Sequence, residues 1–308
     1  MMLPEQKNMV LPDLFCIGQR NRIVSESGID SLSHCLDKKH FKTYPHDIEY
    51  RLNSRGFRDQ EWPGLVEELQ NCIWCFGDSF TKGIGVPYSH TWVKILESKT
   101  NKRCINISMN GASNQWIARK IIRVLETVAP KNIVVQWSFL SRFEIEDESL
   151  CDEDRQDSGK SSNRTHADLL DQFNKLINQV EIVKNKSNII HSFIPGYSCA
   201  TENIDSEIDK IWQSLRGKNW PLSPPLDQRQ LMNLDPNILS ELTQFNTINY
   251  LIQLLNERVS INQLTNTFNK ILHVSEIQPQ DLGRDGFHYD IITATEFVSN
   301  LLPLIFHQ

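Results

Sequence analysis

No stretch of this sequence runs for about eighteen consecutive apolar residues, so no membrane-spanning helix is expected. Basic residues are in deficit: 32 Lys and Arg against 38 Asp and Glu leave a net charge of −6. A chain without a cationic surplus has little with which to neutralise phosphates, which argues against non-specific nucleic-acid binding. The opening segment, MMLPEQKNMVLPDLFCIG, has one early Lys, one early Glu and a broken apolar run. It lacks the pattern of a secretory leader, so a cytoplasmic protein is expected.

Cysteine does not come in a framework. The seven residues Cys16, Cys35, Cys72, Cys75, Cys104, Cys151 and Cys199 are odd in number and scattered, which excludes a disulfide scaffold. Cys72 and Cys75 form a C-x-x-C, but no second pair or close His pair completes a zinc site, and both lie in an apolar run that reads as a buried strand. His34, His40, His46, His90, His166 and His307 follow no metal-ligand spacing, while His191 and His273 fall in expected strands. No P-loop occurs between Gly77 and Gly85, and no G-x-G-x-x-G opens a helix. Neither a metal nor a cofactor is expected.

What is present is a packable core. Hydrophobic residues make up 39% and charged residues 23% of 308 residues, enough for one large domain with or without an appendage. Short apolar, β-branched runs predict parallel strands at residues 72–77, 103–108, 132–137 and 188–194, with a short fifth at 271–274. Helical patterns at 91–97, 114–127, 168–183 and 290–302 separate or follow them; Ile117, Ile121, Ile122 and Leu125 form an apolar stripe in the second. Strands alternating with helices predict βαβ units, right-handed crossovers and a three-layer α/β/α sandwich. We divide the chain into an N-terminal extension (1–70) packing on the core and an α/β domain (71–308). A mainly helical insertion at about 200–268 carries Trp212 and Trp220, and 146–166 reads as a polar surface loop.

Chemistry concentrates at the end of the first core strand. Gly77-Asp78-Ser79 lies where a strand gives way to a helix, the edge of a parallel sheet at which ligands bind. Gly77 permits a tight turn, and the following helix start offers backbone N–H groups to an oxyanion. Equally, Asp78 or Ser79 can simply cap that helix. Far downstream, Asp285-Gly286-Phe287-His288 precedes the last helix. A serine needs a base to take its proton, and the base needs an acceptor to orient it; Asp285 and His288 supply both from one loop.

These segments resemble the SGNH/GDSL hydrolase superfamily. Gly77-Asp78-Ser79 is similar to its first block. Asn106 to Asn114, after the second strand, is similar to its second, and Asp285 with His288 to its last. N-S-x-G-F-R-D (Asn53 to Asp59) ahead of Gly77 to Val86 is similar to a bacterial and phage-borne subset. The resemblance covers about residues 50–145 and 268–303. It implies a flavodoxin-like parallel sheet, Ser79 as nucleophile, His288 as base, Asp285 as its partner, and backbone N–H groups of Ser79 and Gly111 in an oxyanion hole.

One block departs from the pattern. The third normally reads G-x-N-D and supplies an Asn donor, whereas Gln136-Trp137-Ser138-Phe139-Leu140-Ser141-Arg142-Phe143-Glu144 stands here, with Leu140 near the Asn position. Losing one such donor costs roughly 10²–10³ in rate. Asn114, Asn110, Ser141 and Arg142 are the candidate substitutes. Asp78 and Arg142 are candidate substrate contacts, Arg142 either binding an anionic part of a substrate or pairing with Glu144 or Glu146. The resemblance implies an esterase acting on a short acyl or carbohydrate O-acetyl ester. The alternatives are an acyltransferase using the same site and a non-catalytic binding or assembly protein that keeps the fold.

Overall fold

The computed structural model describes residues 14, 26–30, 47–140, 142–145, 156–157, 166–195, 280–284 and 288–306. Four strands form its central sheet: β3 (Ile73–Gly77), β4 (Cys104–Ser108), β5 (Asn132–Trp137) and β8 (Asn188–Phe193). Their order is β4-β3-β5-β8 and every pair is parallel. Such a sheet must be covered on both faces, and its strands accordingly read as apolar runs.

The pleat distributes side chains between two cores. Trp74, Phe76, Ile105, Ile107, Ile133 and Val135 meet α4 (Asn114–Thr127) and α5 (His166–Val183) through Trp116, Ile117, Ile121, Phe173, Ile177 and Val180. Ile73, Cys75, Val134 and Ile190 face the other way. There α3 (Trp92–Thr100) and α6 (Ile291–Phe306) contribute Trp92, Val93, Leu96, Phe297, Val298 and Leu301. The result is the expected three-layer α/β/α sandwich, and the strand order is the flavodoxin-like one. The chain leaves β3 for α2 (Ser79–Lys82) at the point where strand order reverses direction, the ligand-binding crevice of open α/β sheets. Among the described residues no helix is long and apolar enough to cross a membrane.

The N-terminal segment is more ordered than its sequence pattern suggests. β1 (Glu26–Asp30) pairs antiparallel with β2 (Ile48–Arg51), and α1 (Val66–Asn71) leads into β3. Asn53 accepts the N–H groups of Arg55 and Phe57, and Gly56 adopts φ +82°, which makes the expected turn. Asp59 then closes the outer edge of β4: its carboxylate accepts Asn106 N–H at 3.2 Å and Arg103 at 2.7 Å. A two-stranded ribbon of β6 (Phe143–Glu144) and β7 (Gln156–Asp157) adjoins α4. The expected strand at 271–274, the insertion at about 200–268 with Trp212 and Trp220, and most of the loop at 146–166 lie outside the described residues.

Candidate active site

Three loops at the carboxyl edge build the site. The first is the turn from β3 into α2. Asp78 caps α2, its Oδ1 accepting Phe80 N–H at 3.0 Å, so Ser79 becomes the first helical residue. A side chain at position 77 would run into the Thr81 hydroxyl and crowd the Gln136 carbonyl, so the close passage of α2 over the sheet requires Gly77. The second loop follows β4. Met109 N–H donates to Gly77 O, Gly111 turns the chain at φ +74°, and Ser113 caps α4 through Trp116 N–H.

The third loop brings the histidine. Leu282 bridges Tyr289, Gly283 N–H donates to His288 O at 2.6 Å, and Arg284 N–H donates to Gly85 O at 2.8 Å. A Cβ on Gly283 would press on Gly85 O, so this loop lies directly on the Gly83–Val86 turn. The His288 ring packs against Phe80 in a tilted arrangement, 4.3 Å between centroids. Its Nε2 lies 2.8 Å from Ser79 Oγ, and both residues are buried. With the ring proton on Nδ1, Nε2 accepts from the serine hydroxyl, the geometry for general-base activation. Asp285, the expected partner of His288, lies outside the described residues, as does Ser141.

Beneath the pair runs a buried polar chain that local sequence patterns do not announce. Trp92 Nε1 donates to Thr81 Oγ1 (3.2 Å), Thr81 Oγ1 to Gln136 Oε1 (3.1 Å), and Gln136 Nε2 to the Tyr289 hydroxyl (2.9 Å). Burial pushes the Tyr289 phenol well above its ordinary range. The sequence signal was Gln136 itself, a polar residue within an otherwise apolar strand.

The third-block loop packs inward, with Ser138, Phe139, Leu140 and Arg142 all buried. Arg142 reaches inward: its guanidinium lies 2.9 Å from Asp78 Oδ2, and Ser138 Oγ donates to the same oxygen at 2.7 Å. Glu144 pairs instead with Arg119 of α4, because β6 turns Phe143 inward and Glu144 toward that helix. Glu146 lies outside the described residues. Asn114 is likewise committed, its Oδ1 accepting Ser138 N–H at 2.8 Å and its Nδ2 donating to the Ser138 and Phe139 carbonyls. It braces the third-block loop. Leu140 is buried, and Asn110 is exposed.

A further clamp reaches in from the N-terminal segment. The Arg58 guanidinium, 1% exposed, donates to the carbonyls of Lys82 (3.2 Å), Gly83, Glu49 (3.1 Å) and Val86 (3.0 Å). It lies over the Tyr50 ring at 4.4 Å. Burial lowers its pKa to about 10. Arg58 thus ties down the C-terminal end of the same four-residue helix that Ser79 begins. Among the described residues no group of three His, Cys, Asp or Glu side chains is placed to hold a metal ion.

No family model matches the chain, and no curated protein matches it. Three solved structures are similar to it. TesA is 12% identical over 77% of this chain and 98% of its own, with a TM-score of 0.37. A member of the lipolytic G-D-S-L family from Veillonella parvula is 15% identical over 77% and 98%, also with a TM-score of 0.37. The psychrotrophic esterase EstA from Pseudoalteromonas sp. is 13% identical over 65% and 97%, with a TM-score of 0.28.

Proposed function

We propose that the chain is a serine-dependent ester hydrolase of the SGNH/GDSL type, acting on a short acyl or carbohydrate O-acetyl ester. The observation that carries this reading is the 2.8 Å contact between Ser79 Oγ and His288 Nε2 at the carboxyl edge of the sheet. His288 takes the serine proton as Oγ attacks the acyl carbonyl, and Asp285 orients the resulting imidazolium. Backbone N–H groups of Ser79 and Gly111 hold the oxyanion. His288 then gives its proton to the departing alcohol, leaving an acyl-Ser79. A water molecule, deprotonated by His288 in turn, releases the acid and restores the serine. A sugar hydroxyl in place of that water would turn hydrolysis into acyl transfer.

The test is hydrolysis of p-nitrophenyl acetate by the wild type, Ser79→Ala and His288→Ala. Wild-type turnover is expected to exceed that of both variants by at least about a thousandfold. Equal rates in all three would sink the mechanism. The second reading, a binding protein that keeps the fold, draws on buried Leu140 and on an Asn114 amide engaged elsewhere. A folded wild type with no Ser79-dependent turnover of any ester, but with retained ligand affinity, would select it.

A further inference from the structure

Asp78 stands immediately before Ser79 and is fully buried. For the chemistry proposed above, a carboxylate there is unfavourable. Negative charge develops on the acyl oxygen as Ser79 attacks, and a like charge in a water-poor site opposes it. The carboxylate is not left bare. Its Oδ1 accepts Phe80 N–H at 3.0 Å, and its Oδ2 accepts both Ser138 Oγ–H at 2.7 Å and Arg142 Nη1–H at 2.9 Å. Arg142 also donates to Ser138 Oγ at 3.2 Å, lies over the Phe139 ring at 4.7 Å and is 8% exposed. An ion pair this buried is a weak source of net stability, because desolvation offsets most of the attraction. Its place beside the nucleophile gives it another use.

We infer that Arg142 is a positioning residue for Ser79 that acts through Asp78. Its cation cancels the field of the carboxylate that precedes the nucleophile in the chain, and its Nη1 holds that carboxylate in place at the α2 cap. Arg142 and Ser138 come from the third-block loop, the loop in which Leu140 stands where a side-chain donor was expected. That loop therefore contributes charge compensation to the site. The inference rests on Ser79 being the nucleophile.

The claim has a signature that a purely structural brace lacks. Removing the guanidinium alone strands a negative charge at the site, whereas removing both charges does not. The double variant is therefore faster than the single one, although it has lost more contacts. The experiment is steady-state hydrolysis of p-nitrophenyl acetate by the full chain, comparing wild type, R142Q, R142K, D78N/R142Q and S79A. Circular dichroism and urea unfolding identify which variants are folded. We expect R142Q to lose about tenfold to a hundredfold in kcat with KM within about twofold. D78N/R142Q regains at least about threefold of that loss, and R142K, which keeps the charge, stays well above R142Q. A folded double variant no faster than R142Q, or a folded R142K as slow as R142Q, overturns the inference. If R142Q does not fold, the double variant carries the test: kcat within about tenfold of wild type supports the inference, and a loss above about a hundredfold overturns it. Wild-type turnover that S79A fully retains, or no turnover together with no fluorophosphonate labelling of Ser79, sinks the nucleophile reading and the inference with it. Ser79-dependent turnover without recovery in the double variant sinks the inference alone.

Discussion

Replacing Arg58 by Met tests whether the N-terminal segment holds in place the helix that Ser79 begins. The substitution keeps an unbranched apolar stem and removes the guanidinium. Four carbonyls, those of Glu49, Lys82, Gly83 and Val86, then lose a charged donor in a site with 1% exposure. An unsatisfied buried acceptor costs about 1–3 kcal/mol. Gly83 O also accepts Val86 N–H, so a figure below the middle of that range, about 1.5–2 kcal/mol for each of the four, gives a loss of roughly 6–8 kcal/mol. Against it stands the cost of keeping the cation out of water. A pKa lowered from 12.5 to about 10 corresponds to about 3 kcal/mol, which the variant no longer bears. The net expectation is a destabilisation of about 3–5 kcal/mol, a large part of the 5–15 kcal/mol typical of a domain. Urea unfolding followed by tryptophan fluorescence reads it directly. With a slope of roughly 3 kcal/mol per molar for a chain of this size, the midpoint falls by about 1–1.5 M. Turnover of p-nitrophenyl acetate falls as well, because the freed carbonyls lie at the end of the helix that Ser79 begins. A midpoint within about 0.3 M of wild type would refute the reasoning.

Three further outcomes follow from the same contacts. Tyr289→Phe leaves the Gln136 amide without its hydroxyl partner, so stability drops by about 1–3 kcal/mol and kcat falls because Tyr289 adjoins His288; unchanged unfolding and turnover would remove the buried chain from the account. Glu181 is drawn down to about 2 by the hydrogen bond from His191, whose Nδ1 accepts Trp137 Nε1–H and whose Nε2 therefore carries the proton. A lowered carboxyl stabilises the fold above its ordinary pKa of 4.5 and ceases to as pH falls toward 2. With 31% of that side chain exposed, Glu181→Gln costs about 1 kcal/mol at pH 7, and urea midpoints at pH 7, 5 and 3 should converge as acid is added; a gap constant across that range contradicts the assignment. Burial pushes the Cys72 thiol up to about 11 and the Cys75 thiol well above its usual value. In peptide mapping at pH 8, both cysteines should resist iodoacetamide until urea unfolds the chain.

The sheet was legible because its strands are buried on both faces. IWCFG, CINIS and NIVVQW are near-continuous apolar runs, and a fully covered parallel strand leaves that mark. The stripe in Asn114–Thr127 likewise follows from a helix with one face on a core. The β1–β2 ribbon escaped notice because its strands are five and four residues long and no tight turn joins them. In the site, Ser79 and His288 could be found from their places next to a strand end and a helix start. The partners of Arg142 could not. Local charge spacing offered Glu144 or Glu146, while the fold supplied Asp78 from 64 residues away and gave Glu144 to Arg119. The buried chain through Thr81, Gln136 and Tyr289 joins residues up to 153 positions apart, which no local pattern records.

Ser79 and His288 stand 209 residues apart, and the histidine loop leads into α6, which with α3 covers one face of the sheet. During synthesis on the ribosome, β3 and the serine emerge early, while the base and its helix emerge late. A nascent chain that stops before Ile291 leaves Ile73, Val134 and Ile190 without the cover of Phe297, Val298 and Leu301. Such a chain holds Ser79 and His288 but lacks the helix that follows the histidine loop, and it exposes a sticky apolar face, a target for chaperones. The Ser79–His288 contact therefore forms only with the closing of the second core.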